Sequence, residues 1–264
     1  MDRERFVTAL FAPADRREPL MCLYAFNAEV ARVRDTVNEA VAGMMRLQWW
    51  REALAGERPA ETARNPVAAP LIEACRAVKA SGECFERLLE ARERDLTGEP
   101  FADLAELEAY AADTSGTLTV LALELLGARD PGTLAAGRQV GTAFALTGLV
   151  RALPHALAAG RLALPEAVLR EAGSSAEDVL AGQAPKAAIA RAVRAVGERA
   201  EALLAEARHG KVDRRGVAAL LPAALASGHL RTLEKTGWDV FDARVSRTRP
   251  MPVRLALNAV LGRF

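Results

Sequence analysis

Asp35 and Glu39 stand four residues apart, and on a helix two such carboxylates project side by side, the arrangement that shares a divalent cation with a phosphate. Far along the chain, Arg151, His155 and Arg161 emerge near the end of a mostly apolar stretch, Gly141 to Pro165. Arginine needs no metal to grip phosphate, because its planar fork donates two parallel hydrogen bonds. From Pro131 to Pro165 there is no Asp or Glu, although 26% of the chain is charged. These residues therefore offer anion binding, with a weak carboxylate pair, Asp35 and Glu39, as the one metal candidate. A plainer reading is available for each. Asp35 can form a surface ion pair with Arg32 while Glu39 stays solvated, worth under about 1 kcal/mol. Arg151 and Arg161 can pair with acids elsewhere, and His155 can cap a helix end.

No other arrangement for catalysis stands out. There is no GxSxG, GxGxxG or P-loop, and no Cys/His spacing suited to zinc. Cys22, Cys75 and Cys84 form no CxxC pair and leave one over, which fits small core residues in a reduced cytosolic compartment. His209 and His229 are lone histidines, read as structural or exposed.

The elements that must position these groups are helical. The 264 residues carry a net charge of +1, and 51% are hydrophobic with few aromatics. Such a chain folds rather than staying disordered, and interspersed charge excludes a nucleic-acid surface. Ala, Leu, Arg and Glu dominate, period-2 alternation is absent, and Gly and Pro punctuate segments of helix length. The spacing predicts roughly ten helices in one all-α domain over 1–264. Arg17 to Val41 reads as one long helix with Tyr24, Asn27, Ala31 and Asp35 around a face. Tyr110 and Asp113 sit on a later helix pair, and 185–208 forms another helix. The amino terminus lacks a secretory signal, and no apolar run is long enough to span a bilayer. The expectation is a cytoplasmic chain, at most peripheral to a membrane.

Several segments resemble one family. Tyr24-Ala-Phe opens a stretch that in the squalene/phytoene synthases leads into aspartates binding magnesium; the matching positions here are Ala31, Arg32 and Asp35. That family's second signature runs glutamine, threonine, asparagine, arginine and two aspartates, where this chain has Ala145, Thr147, Gly148, Arg151, Ala152 and Ala156. Met44-Met-Arg-Leu-Gln-Trp-Trp-Arg and Glu106-Leu-Glu-Ala-Tyr-Ala-Ala-Asp-Thr-Ser-Gly116 resemble two more of its segments. The departures are similar to one branch, the mitochondrial complex I assembly factors and their bacterial relatives. They include Leu149-Val-Arg-Ala-Leu-Pro-His155 and Trp238-Asp-Val-Phe-Asp242.

The resemblance implies an isoprenoid synthase-type bundle around a central cavity, with Tyr24, Asn27, Asp35, Glu39, Tyr110, Asp113, Arg151, His155 and Arg161 as cavity or ligand candidates. It implies a bacterial, non-catalytic assembly factor for respiratory complex I, at the cytoplasmic face of the inner membrane, with a complex I subunit as partner and no cofactor. Two alternatives stay open. One is an active head-to-head prenyl transferase, which alone calls for Mg2+; the other is a module holding a lipid or isoprenoid.

The last segment, 244–264, contains Arg244, Arg247, Arg249, Arg254 and Arg263 and no acid. Val253, Leu257, Val260, Leu261 and Phe264 form a stripe at helical spacing. A basic amphipathic helix of this kind suits a membrane surface or a partner; the competing expectation is that the stripe docks on the protein's own core.

Overall fold

The computed structural model describes residues 2–37, 39–246 and 252–264, and every regular element among them is helical. Arg247 and Arg249 of the basic segment lie outside the described residues. The expected ten helices are instead a larger number of shorter ones. Helix α1 (Arg3–Ala9) starts at Asp2, whose side chain accepts from the Glu4 and Arg5 amides and so satisfies two orphan donors. Helix α2 (Ala14–Ala31) carries Tyr24 and Asn27 into the core.

The long helix expected from Arg17 to Val41 does not form. It stops at Ala31, passes through Arg32 at φ −103°, makes one turn as α3 (Val33–Thr36) and becomes extended at Val37. The β-branched Val33, Thr36 and Val37 are poor helix formers. Thr36 Oγ1 donates to the Val33 carbonyl at 3.0 Å and accepts from Arg46 at 2.7 Å, which closes the turn. Glu39 is left outside any helix, ahead of α4 (Ala40–Ala55). Asp35 and Glu39 therefore share no helical face.

Beyond α5 (Pro59–Thr62) and α6 (Ala68–Val78), α7 (Gly82–Thr97) lies against α4. Phe26 fixes α2 between them, with its ring 4.8 Å from Trp50 and 5.4 Å from Phe85 in edge-to-face contact. Helix α8 (Leu104–Ala111) runs into a wider π turn, Ala112–Gly116, and then into α9 (Thr117–Leu125), which is buried at every position but Val120. The threonines of this region stay satisfied in the core by bonding back along their own helix. Thr114 donates to the Tyr110 carbonyl at 2.8 Å, and Thr119 to the Ser115 carbonyl at 2.9 Å.

Helix α10 (Pro131–Arg151) begins with Asp130 as its cap and Pro131 in its first turn. It runs through the middle of the molecule against α9, the π turn and two later helices, α14 (Lys186–Ala207) and α16 (Pro222–Lys235). The apolar stretch from Gly141 is not one helix to Pro165. It breaks at Ala152, and α11 (Leu153–Ala158) restarts with Pro154 in its first turn. Between α11 and α14 lie α12 (Glu166–Glu171) and α13 (Ala176–Leu180). Ahead of α16 comes α15 (Val217–Leu220); beyond it come α17 (Ala243–Ser246) and α18 (Pro252–Leu261). Trp238, at φ +63°, lays its ring where Gly197 of α14 has no side chain. Among the described residues no helix is long and apolar enough to cross a membrane.

Candidate functional site

The facing surfaces of α2 and α10 leave a cavity of about 420 Å³ lined by Asn27, Ala31, Arg32, Ala145, Gly148 and Ala152, with Arg5, Arg92, Tyr110 and Ser115 at its other walls. A second cavity of about 470 Å³ shares Ala31, Arg92, Tyr110, Leu149 and Ala152 with it, and adds Arg34, Arg94, His155, Ala156 and Arg161. The wall positions matching the family's magnesium-binding aspartates thus present a methyl group at Ala31, Ala152 and Ala156. The matching glutamine and asparagine positions hold Ala145 and Gly148. A Cβ added at Gly148 would meet nothing within 4 Å.

The polar groups that do face this space are mostly guanidinium, amide and hydroxyl. Arg5, only 7% exposed, reaches in from α1. Its Nη2 donates to Ser115 Oγ at 2.5 Å and its Nη1 to Asp2 Oδ2 at 3.1 Å. Its guanidinium sits 4.9 Å from the Phe144 ring centre and 6.0 Å from that of Tyr24. Arg92 Nη1 donates to Tyr110 at 2.8 Å and to Asp95 at 3.1 Å, while Tyr110 donates to Asp95 at 2.8 Å. Asn27 is 6% exposed, and its Oδ1 has no hydrogen-bond partner among the described residues.

This donor set does not fit a magnesium cluster, which needs anionic oxygens from two facing helices. Asp2 is the one acid lining the first cavity among the described residues, and Arg5 neutralises it. No three His, Cys, Asp or Glu side chains gather among the described residues. What the first cavity can do is hold an anion or a hydrogen-bonding headgroup by Arg and Asn; the second carries Asp95, Glu99 and Glu166 on its wall beside its arginines.

The other candidates are distributed around this space rather than gathered in it. Asp35 pairs with Arg161 at 2.6 Å, not with Arg32. Glu39 is exposed, and Asp113 takes a hydrogen bond from Arg138 at 2.8 Å outside either cavity. His155 and Arg161 line the second cavity. Arg151 turns away to Glu4 at 3.6 Å, and His229 Nε2 meets the same carboxylate at 2.7 Å, so the histidine is structural. Burial pushes the Glu4 carboxyl up, but the hydrogen bond and charge of His229, with Arg151 and Arg5, outweigh it and hold the group below its ordinary value. For Arg151, burial wins over the attraction of Glu4 and lowers it.

Arg5, Arg92 and Asn27 form the polar heart of the cavity, and sequence reasoning identified only Asn27. Arg92 had a local signal, an acid three residues on in Arg92-Glu-Arg-Asp95. Arg5 had the same kind of signal, an acid three residues before it in Asp2, but its other partners Ser115 and Phe144 are distant in the chain.

Tyr24 is fully buried, and burial raises its hydroxyl from the ordinary 10.0 to about 12. Tyr110 is raised by burial as well. An ionisation disfavoured in the folded chain leaves stability intact below pH 10 and removes it as pH climbs toward 12. The two-unit shift corresponds to about 2–3 kcal/mol for Tyr24 alone. Urea titrations across that window should show the loss, and Tyr24→Phe should remove Tyr24's share of it.

The chain is similar to known proteins in sequence and in fold. Over residues 1–251 it matches the model of the squalene/phytoene synthase family. It is 29% identical over 266 residues to NADH dehydrogenase (ubiquinone) complex I assembly factor 6 of Rattus norvegicus, covering 100% of this chain and 80% of that one. To 15-cis-phytoene synthase of Pantoea ananas it is 27% identical, over 65% of this chain and 56% of that one. The crystal structure of a dehydrosqualene synthase superposes with a TM-score of 0.81 at 17% identity, covering 98% of this chain and 91% of that one. The match across nearly the whole chain, on a shared helical frame with a cavity between its signature helices, makes this chain a member of the squalene/phytoene synthase family.

Proposed function

We propose that this chain is a non-catalytic member of its family that serves the assembly of respiratory complex I, acting on an NADH dehydrogenase subunit at the cytoplasmic face of the inner membrane. One observation carries the reading: the cavity is kept while its metal-binding positions hold Ala31, Arg32, Ala152 and Ala156, and the one acid left among them, Asp35, is paired with Arg161. An active enzyme that ionises a prenyl diphosphate needs carboxylates there to hold the metal that stabilises the leaving group. The chain's likeness to a complex I assembly factor runs its full length, whereas its likeness to a phytoene synthase is partial. The protein works, in this reading, without magnesium or any other cofactor.

Deleting the gene should lower the amount of assembled complex I and its NADH oxidation, and the intact gene should restore both. Unchanged complex I in the deletion strain would end the proposal. The purified chain should release no diphosphate from farnesyl or geranylgeranyl diphosphate with magnesium; measurable turnover would restore the enzyme reading. A second reading, a lipid or isoprenoid held in the cavity, is favoured by the unpartnered Asn27 Oδ1 beside Arg5 and Arg92. Native mass spectrometry should then find a co-purified ligand that Arg92→Met releases.

A further inference from the structure

Helix α18 turns its broad apolar side away from the protein. Leu255 is 1% exposed and packs, with Ala259, against Phe11, Val217, Leu221 and Leu225. The stripe expected to dock faces outward instead: Val253 is 80%, Leu257 56%, Val260 73% and Leu261 49% exposed. Only Phe264 of that stripe returns to the core. One side of a helix can be covered by α15 and α16, and here Leu255 and Ala259 take that side. The helix is tied down in this orientation, since Arg214 donates to the Val260 carbonyl at 3.1 Å and Arg208 to the Phe264 main-chain oxygen at 3.0 Å.

The charge around the stripe has one sign. Arg254 and Arg263 lie on the same segment, Arg208 and Arg214 reach it from neighbouring elements, and no acid follows Asp242. Among the described residues none of these four arginines has a carboxylate side chain within ion-pair distance. The acids nearest them in the chain are already occupied, Glu206 by Arg199 at 3.0 Å, Asp213 by Arg215 at 2.6 Å and Asp242 by Arg244 at 2.7 Å. Burial, and after it the like charge of Arg231, lower Arg208, which donates to Ser227 Oγ at 2.9 Å.

An outward aliphatic stripe ringed by unpaired arginines selects its occupant by charge. A second copy across a two-fold axis would set arginine against arginine, which is repulsive. A bilayer rich in anionic phospholipid offers hydrocarbon to the stripe and phosphate to the guanidinium groups. We propose that the outer face of α18, with Arg208, Arg214, Arg254 and Arg263, lies in the plane of an anionic membrane surface and docks the protein there. This is independent of which client the protein serves.

The test is co-sedimentation of the full chain with vesicles of phosphatidylcholine alone and of phosphatidylcholine with phosphatidylglycerol. The expected result is binding to the mixed vesicles, at least about tenfold weaker binding to the neutral ones, and loss in high salt. A Leu257→Glu/Val260→Glu double variant should bind at least about tenfold more weakly. Its circular dichroism spectrum and melting should be unchanged, because both side chains are in solvent. Arg254→Gln and Arg263→Gln should each weaken binding, up to about fivefold, without touching the stripe. Three results would overturn the proposal: no binding of the folded chain to anionic vesicles, equal binding by the double variant, or a dimer in light scattering that the double variant dissolves.

Discussion

Gly141→Ala lowers the stability of the protein by about 2–4 kcal/mol, while Gly148→Ala, two turns further along the same helix, raises it by about 0.5–1 kcal/mol. Both glycines lie inside α10, so the intrinsic gain from replacing glycine by alanine is the same at each. What differs is the space. A Cβ on Gly141 would lie 2.6 Å from Thr119 Oγ1, 2.7 Å from the Gly116 Cα, and closer still to the Ser115 carbonyl. Two of these are backbone atoms of the π turn, and backbone cannot swing aside as a side chain can. Gly116 answers in kind, since a Cβ there would come within 2.9 Å of Thr142 Oγ1 and 3.0 Å of the Arg138 carbonyl. The two glycines let α10 and the π turn cross at backbone contact, and that crossing holds Ser115 and Thr114 against the cavity. At Gly148 the added methyl points into the empty space beside Ala145 and Ala152. Urea denaturation of the two variants, side by side, measures the difference. Equal effects would mean that the helix crossing is looser than described.

Arg5→Leu should cost about 2–4 kcal/mol, while Arg3→Ala on the same helix changes stability by less than about 0.5 kcal/mol. Arg5 is buried, and its removal leaves Ser115 Oγ and the Asp2 carboxylate without their partner and strips the cation from the Phe144 face. Asp2 is 27% exposed and water can recover part of its loss, which keeps the figure below that of a fully buried pair. Arg3 is exposed. Arg5→Lys should recover little, because an ammonium cannot reach Asp2 and Ser115 with one planar fork. Chemical denaturation gives the stability term. A cavity ligand, where one co-purifies, should also be lost from Arg5→Leu, since Arg5 lines the space it would occupy.

The helical class, the family frame and the missing acids at Ala31, Ala152 and Ala156 were all legible in the residues alone. These are local facts: apolar spacing, Gly and Pro punctuation, and the side chain at a motif position do not depend on what lies across the molecule. Helix lengths were less legible. The break after Ala31 has a local part, the β-branched Val33, Thr36 and Val37, and a tertiary part, in which Thr36 is bound by Arg46 and Asp35 by Arg161. Partners distant in the chain were not legible. Arg161 finds Asp35 across 126 positions and His229 finds Glu4 across 225, and charge pairing is set by distance in space, which only the closed loops define. The same limit governs α18. Its stripe reads identically whether it meets the core or the solvent, because periodicity records that a helix has two faces. Which face is covered was decided by α15 and α16, where Leu255 fits and Leu257 does not.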